Sequence, residues 1–437
     1  MLLGRGFYIS ILDGMSKKYN VILIGIDALR ADHLGCYGYP RPTSPNIDAL
    51  ANKGLCFENC FSQAPNTAPS FMSIMTSRYP SYHGVIDNIH PEGGTSRMYV
   101  LDEGIPTIAQ IVKRNGYSTA AFTDGANVWD EMGFGRGFDY YSMNWEFRRL
   151  IRPAGGSILT GEILYWLKEH SRDNFFLFFH TYAVHTPWFA PQNFRGLYGE
   201  GVDTVMVPPP PITIYSKPKW AEPYLHFLHQ VQDAKTLECY VNSYDGALRY
   251  VDDFIGKLVE FLDETKLLER TIIIFTSDHG EEFSEHGGLG HHQFYSELLH
   301  VPLIIKSPHF QEAQSVPHLV RSIDIFPTIL ELLGIKIGFP VHGVSLVPSL
   351  KKDADLVAAA EAEFLGWAVQ AKDAKYICHQ QKGSSRELYD LNTDPKETKN
   401  IADANPGKAA AMSEMREREL GRPALSLPKT RMLHFPS

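Results

Sequence analysis

The sequence predicts an α/β fold: a central, mostly parallel sheet flanked by helices, followed by a small C-terminal α+β subdomain. Short β-branched runs alternate with helical patterns, namely NVILIGID (20–27), STAAFTDG (118–125), FFLFFHTY (175–182), TIIIFTSD (271–278) and VPLIIKS (301–307). Continuous apolar runs that close on a polar residue read as strands of a parallel sheet, buried on both faces by crossover helices. In such sheets the reacting groups gather at the carboxyl ends of strands. Asp27, His180 and Asp278 occupy such positions and are the first candidates for a site.

Taken in order, residues 1–19 read as an N-terminal extension. Met15 followed by SKKYN offers a natural start, and the preceding stretch carries Asp13 and lacks a small-residue cleavage site, so it is a poor signal peptide. A domain over 20–345 then begins with the strand that ends at Asp27. NIDALANKG (46–54) is helical in pattern, and Pro69–Thr76 has Pro near a helix start. Val205–Tyr224, with Pro208 to Pro211 in succession, cannot be a central strand and reads as a surface excursion, a lid or a contact surface. TLECYVNSYDGALRYVDDFIGKLVEFLDE (236–264) has i, i+3, i+4 apolar spacing and predicts a long amphipathic helix. Residues 346–437, with KYICHQQKGSSRELYDL and the charged AAAMSEMRERELG, read as the α+β appendage.

With 437 residues, 44% of them hydrophobic, the chain can bury a large core, which excludes disordered and fibrous classes. Forty-one basic against 50 acidic residues give a net charge of -9 without a basic stripe, so nucleic acid is not an expected partner. Cys36, Cys56, Cys60, Cys239 and Cys378 form no CxxC pair, which points to reduced thiols in a cytoplasmic protein. The longest apolar runs, Val21–Ile26 and Phe175–Phe179, fall far short of the ~20 residues that cross a bilayer, so no membrane span is expected.

Four separated segments carry the chemistry: IDALRADHLGCYG (26–38), APNTAPSFMSIMTSRYPSYHGV (64–85), HTYAVHTPW (180–188) and SDHGEEFSEHGGLGHHQFYSELLHVPLI (277–304). Together, and with the ending ELYDLNTDPKETKNIAD, they resemble the sulfatase family of the alkaline phosphatase superfamily from about Asn20 onward. The resemblance implies an alkaline-phosphatase-like sheet and one divalent ion, whether Mn, Zn, Ca or Mg, held by Asp27, Asp278, His279 and the Thr67 hydroxyl. From residue chemistry alone, two carboxylates and an imidazole at strand ends suit such an ion. Taken singly, Asp27 reads as a helix cap and Asp278 as the opening of a turn at Gly280.

The departures from that pattern matter as much. The family's C/S-x-P-x-R signature places its oxidisable Cys or Ser where this chain has Thr67, and its Arg where this chain has Phe71. Threonine is no substrate for that oxidation, so formylglycine is not expected. A metal-activated Thr67 hydroxyl can act as nucleophile instead, as in the superfamily's threonine phosphodiesterases and transferases. Ala28 stands where a second acid is frequent. Asp124 and Ala126 replace a sulfate-holding Lys and His, and Thr181 replaces a second-metal Asp. The resemblance assigns His185 to the leaving group and either His291 or His292 to the ester oxygens, while Asn88 is a neutral candidate contact for the substrate. His180, Glu281, Glu282 and Glu285 read as structural.

These observations predict a metal-dependent hydrolase of small-molecule phosphate esters, mono- or diesters, with Thr67 as nucleophile. The alternatives are a sulfatase acting on sulfate esters, a phospho-group transferase, and a binding protein without turnover.

Overall fold

The computed structural model describes residues 18–436 apart from 93–94, 126, 144–159, 187, 189, 202–233, 311, 351–355, 381–384, 423–424, 426 and 430. The Pro-rich excursion at 205–224, the extension at 1–17 and Ala126 therefore lie outside the described residues. Eight strands form the main sheet: β1 (Asn20–Ile26), β2 (Leu55–Phe61), β3 (Ser118–Thr123), β4 (Tyr140–Met143), β5 (Phe175–Thr181), β6 (Thr271–Ser277), β7 (His300–Lys306) and β8 (Gln314–Arg321). Their order across the sheet is β8-β2-β7-β6-β1-β5-β3-β4.

The three central strands β6, β1 and β5 are parallel and buried along their whole length, as their unbroken apolar runs require. VPLIIKS corrects the parallel expectation: β7 runs antiparallel to both β6 and β2. Only a small hairpin and a four-residue turn, Ser296–Leu299, precede it, and a parallel return needs a longer crossover. β8 lies at the sheet edge, where Pro317 interrupts the register between Val316 and Leu319, a position that spares an interior ladder bond.

Helices α1 (Pro45–Ala51), α2 (Thr67–Thr76), α3 (Ile108–Arg114), α4 (Thr160–Glu169), α5 (Ala234–Glu264) and α6 (Ile325–Leu332) cover the sheet. Two apolar clusters result. One packs α2, α3 and α6 on one face of the sheet, and the other packs α1, α4 and α5 on the opposite face. The α5 helix realises the predicted amphipathic pattern, with Tyr240, Tyr244, Leu248, Val251, Ile255 and Leu258 buried.

The C-terminal part is α+β. Strands β9 (Ala358–Ala362), β10 (Gly366–Gln370), β11 (Ala374–His379) and β12 (Arg386–Asp390) form an antiparallel sheet, against which α7 (Pro406–Leu420) packs. The chain then returns to the larger domain, where Arg431–Pro436 pairs with Thr95–Val100.

Candidate active site

β1 and β6 are paired so that Ile26 faces Ser277, which sets the next residues, Asp27 and Asp278, side by side at the carboxyl edge of the sheet. On the other flank Ile26 faces Thr181 of β5, so His180 arrives beside Asp27, its Nε2 3.4 Å from Asp27 Oδ2. Ala28 adopts a left-handed backbone (φ 58°) that turns its N–H onto Asp278 Oδ1 at 3.2 Å. The loop from β2 to α2 is tied to the same corner. Ser62 Oγ and Ser70 Oγ both donate to the Asp278 carbonyl, the latter at 2.7 Å.

Thr67 opens α2, and its hydroxyl reaches both the Asp27 carboxylate and His279 Nε2, the latter at 3.4 Å. The His279 Nδ1–H donates to the Gly280 carbonyl at 2.8 Å, which leaves Nε2 bare and facing Asp278 Oδ2 at 3.3 Å and Asp27 Oδ1 at 3.8 Å. Gly280 permits this turn because a Cβ there would sit 1.9 Å from the Glu297 carbonyl oxygen.

The cluster is rich in acceptors and poor in donors. One ligand atom from each of Asp27, Asp278 and His279 lies within 4.8 Å of the others. Asp27 Oδ1 and Asp278 Oδ2 are buried without a hydrogen-bond partner. Burial, and then the neighbouring Asp278 charge, holds the Asp27 carboxyl well above the usual carboxylate range, and burial likewise raises Asp278. A shared cation satisfies these buried acceptors and the bare imidazole nitrogen together, and the O, O, N donor set suits a divalent one. The residues fit the metal that the sequence predicts.

His185 stands above this floor. Its Nδ1–H donates to the Thr186 carbonyl at 2.7 Å, and its Nε2 meets the Tyr182 hydroxyl at 3.0 Å and His291 Nε2 at 3.1 Å. Burial keeps His185 neutral, its pKa lowered to about 3, and depresses His291 as well. Of the two candidate histidines, His291 faces the site, with its ring centroid 4.4 Å from that of His279. His292 lies one ring further out, 5.2 Å from His291. Asn88 Oδ1 accepts the Ala68 N–H at 2.8 Å, so Asn88 braces the start of α2 directly behind Thr67.

The departures from the sulfatase pattern have structural consequences. Phe71, one helical turn after Thr67, is buried edge-on against His180 at 5.0 Å and fills the space left by the missing side chain of Gly25. Asp124 accepts the Thr181 hydroxyl at 2.6 Å and the Tyr182 N–H at 2.8 Å, so it organises the turn that carries His185. Among the acids read as structural, Glu282 accepts the His286 and Gly288 N–H groups, and Glu285 pairs with Arg30. Glu281 is buried beneath the Tyr240 hydroxyl, at 3.1 Å, and burial pushes it up to about 8.

Sequence reasoning missed Ser62, Ser70, Tyr182 and the placement of His180 against Asp27. Of these only His180 carried a signal, as the polar residue closing an apolar strand.

A parallel-sheet edge holding two buried acids, two histidines and a helix-opening hydroxyl defines a metal-dependent ester hydrolase of the alkaline-phosphatase type. The Sulfatase family pattern matches residues 19–335, and that of the N-sulphoglucosamine sulphohydrolase C-terminal region matches 284–421. The chain belongs to the sulfatase family. It is similar to the N-acetylglucosamine-6-O-sulfatase of Bacteroides thetaiotaomicron, 23% identical over 92% of this chain and 85% of that one. Human iduronate 2-sulfatase is 27% identical over 73% of this chain and 69% of that one. Among solved structures, one in complex with its substrate D-glucosamine-2-N,6-O-disulfate superposes with a TM-score of 0.73 at 20% identity, covering 93% of this chain and 99% of that one. The phosphonate monoester hydrolase of Agrobacterium radiobacter gives 0.72 at 23% identity, covering 92% and 96%. The protein is thus a sulfatase-like ester hydrolase with an alkaline-phosphatase-like fold. No helix among the described residues is long and apolar enough to cross a membrane.

Proposed function

We propose that the protein is a metal-dependent hydrolase of a small-molecule sulfate ester in which the Thr67 hydroxyl takes the place of the family's oxidised Cys or Ser. One observation carries the hydrolytic reading: Thr67 Oγ1, Asp27, Asp278 and His279 converge on a single buried point. Kinship carries the choice of sulfate, since the similar proteins named above include an N-acetylglucosamine-6-O-sulfatase and an iduronate 2-sulfatase. This reverses the order suggested by the residues alone, which put phosphate esters first.

Asp27, Asp278 and His279 would hold the divalent ion, with the Thr67 hydroxyl beside it. When bound, the ion supplies the positive charge that acidifies that hydroxyl and offsets charge on the ester oxygens. Thr67 Oγ1 then bonds to the sulfur or phosphorus as the bond to the leaving alcohol oxygen breaks, and the proton that leaves the Thr67 hydroxyl is relayed through the neutral His185–His291 pair to that oxygen. In the second step a water oxygen bonds to the same centre as the bond to Thr67 Oγ1 breaks, and the pair relays a proton from the water back to Thr67 Oγ1. Asn88 takes the Ala68 N–H and so fixes the start of α2, whose N-terminal dipole end lies at Thr67 and favours the transferred anion there. No formylglycine is involved. The five unpaired cysteines support a cytoplasmic setting.

A specific observation favours phosphate esters as a second reading. Thr67 has no second hydroxyl on its reacting carbon to expel sulfate, and Phe71 and Asp124 bring no positive charge where the family has Arg and Lys. The test is turnover of a matched aryl sulfate and aryl phosphate by metal-replete protein. Faster sulfate hydrolysis supports the first reading and faster phosphate hydrolysis the second, while turnover of neither ester contradicts both.

A further inference from the structure

Sequence spacing gave no paired cysteines, yet the fold brings two of them together away from the ester-hydrolysing site. The short helical turn Gly35–Tyr37 is clamped onto the middle of β2. The Tyr37 hydroxyl donates to the Phe57 carbonyl at 2.9 Å and accepts the Leu303 N–H at 2.9 Å, while Asp48 Oδ1 accepts the Cys36 N–H at 2.8 Å. Phe57 is the immediate neighbour of Cys56, so the clamp lays Cys36 against Cys56. Their thiols are in hydrogen-bond contact on the rim of one apolar cluster, and both are half-buried rather than sealed in the core like Cys60.

We propose that Cys36 and Cys56 form a site of reversible oxidation at which a low-molecular-weight disulfide converts the two thiols into an intramolecular disulfide. The roles of the two sulfurs follow from their neighbours. The Cys36 S–H donates to Cys56, which favours the Cys56 thiolate, whereas Cys36 acts as donor and keeps its proton. Cys56 attacks one sulfur of the reagent, forming a mixed disulfide and expelling one thiolate. Cys36 then attacks Cys56 sulfur, expelling the second thiolate and losing its proton. Two protein thiols are oxidised, one reagent disulfide is reduced to two thiols, and both protons end on those thiols. The cross-link ties the segment that follows Asp27 to β2.

Incubating the folded, full-length protein with oxidised glutathione, alkylating the free thiols and mapping peptides by mass spectrometry tests this. The expected result is a Cys36–Cys56 linked peptide that disappears on treatment with dithiothreitol, with Cys239 and Cys378 still alkylated. In Cys36→Ser the expected product is a single glutathione retained on Cys56 without any cross-link. Wild-type protein in which both cysteines remain alkylated, or in which glutathione stays on Cys56 unresolved, would overturn the proposal, and that map alone decides if the variant fails to fold.

Discussion

The floor and the wall of the site have diverged. On the floor, Asp27, Asp278 and His279 converge, with one ligand atom of each within 4.8 Å of the others and a carboxylate oxygen of each aspartate left without a partner. On the wall, the positions expected to grip the anion hold Phe71, packed against His180, and Asp124, committed to Thr181 and Tyr182. The floor is built from backbone pairing that few changes can disturb, whereas the wall consists of side chains that repack. Stabilisation of the substrate's oxyanion is therefore expected from the floor and from the N-terminus of α2 rather than from a cationic clamp.

If the floor is the engine, its loss should have the largest effect. Asp278→Asn should lose stoichiometric metal by elemental analysis and turnover by a factor on the order of 10⁴. Retained metal with full activity would place the reaction elsewhere. Next in size is His185→Asn, expected to lower kcat by about 10² to 10⁴, with the loss shrinking for esters of more acidic alcohols that need less proton help. A loss that ignores the leaving group would remove His185 from that role.

The wall offers a sharper contrast. Phe71→Arg should not strengthen sulfate binding, because a guanidinium placed there is buried against His180 rather than open to the substrate. The expected cost is a few kcal/mol, read as a lower melting temperature. An unchanged melting temperature together with tighter sulfate binding would mean that the wall is open to charge after all.

The smallest effect concerns Glu281, whose carboxyl is pushed up by burial to about 8 from the ordinary glutamate value of 4.5. A raised acid pKa contributes stability that is full below the unfolded value and is lost as pH rises through the folded one. In chelated protein, Glu281→Gln should therefore gain melting temperature relative to wild type between about pH 5 and pH 8. A constant offset across that range would mean that Glu281 does not titrate there.

The same contrast explains what could be read from the sequence. Asp27 and Asp278 stood out as candidates because each closes an apolar strand, and Thr67 because of its place in the segment that resembles the sulfatase signature. The direction of β7 was not, because an apolar run has periodicity but no polarity. β2, with Glu58 and Asn59 exposed in LCFENCF, hid for a related reason: a half-buried strand lacks the continuous run that marked its neighbours. The Ser62 and Ser70 bonds to the Asp278 carbonyl join residues more than two hundred positions apart, a distance over which no local pattern carries information.

The central claim is that the Thr67 hydroxyl is the group that receives the transferred anion. It is tested most directly by kcat for Thr67→Ser and Thr67→Ala on the same ester, with metal content and melting temperature measured alongside. The account predicts that the folded serine variant keeps measurable turnover and that the folded alanine variant loses at least about 10³. An alanine variant that binds metal and turns over at the wild-type rate would contradict it.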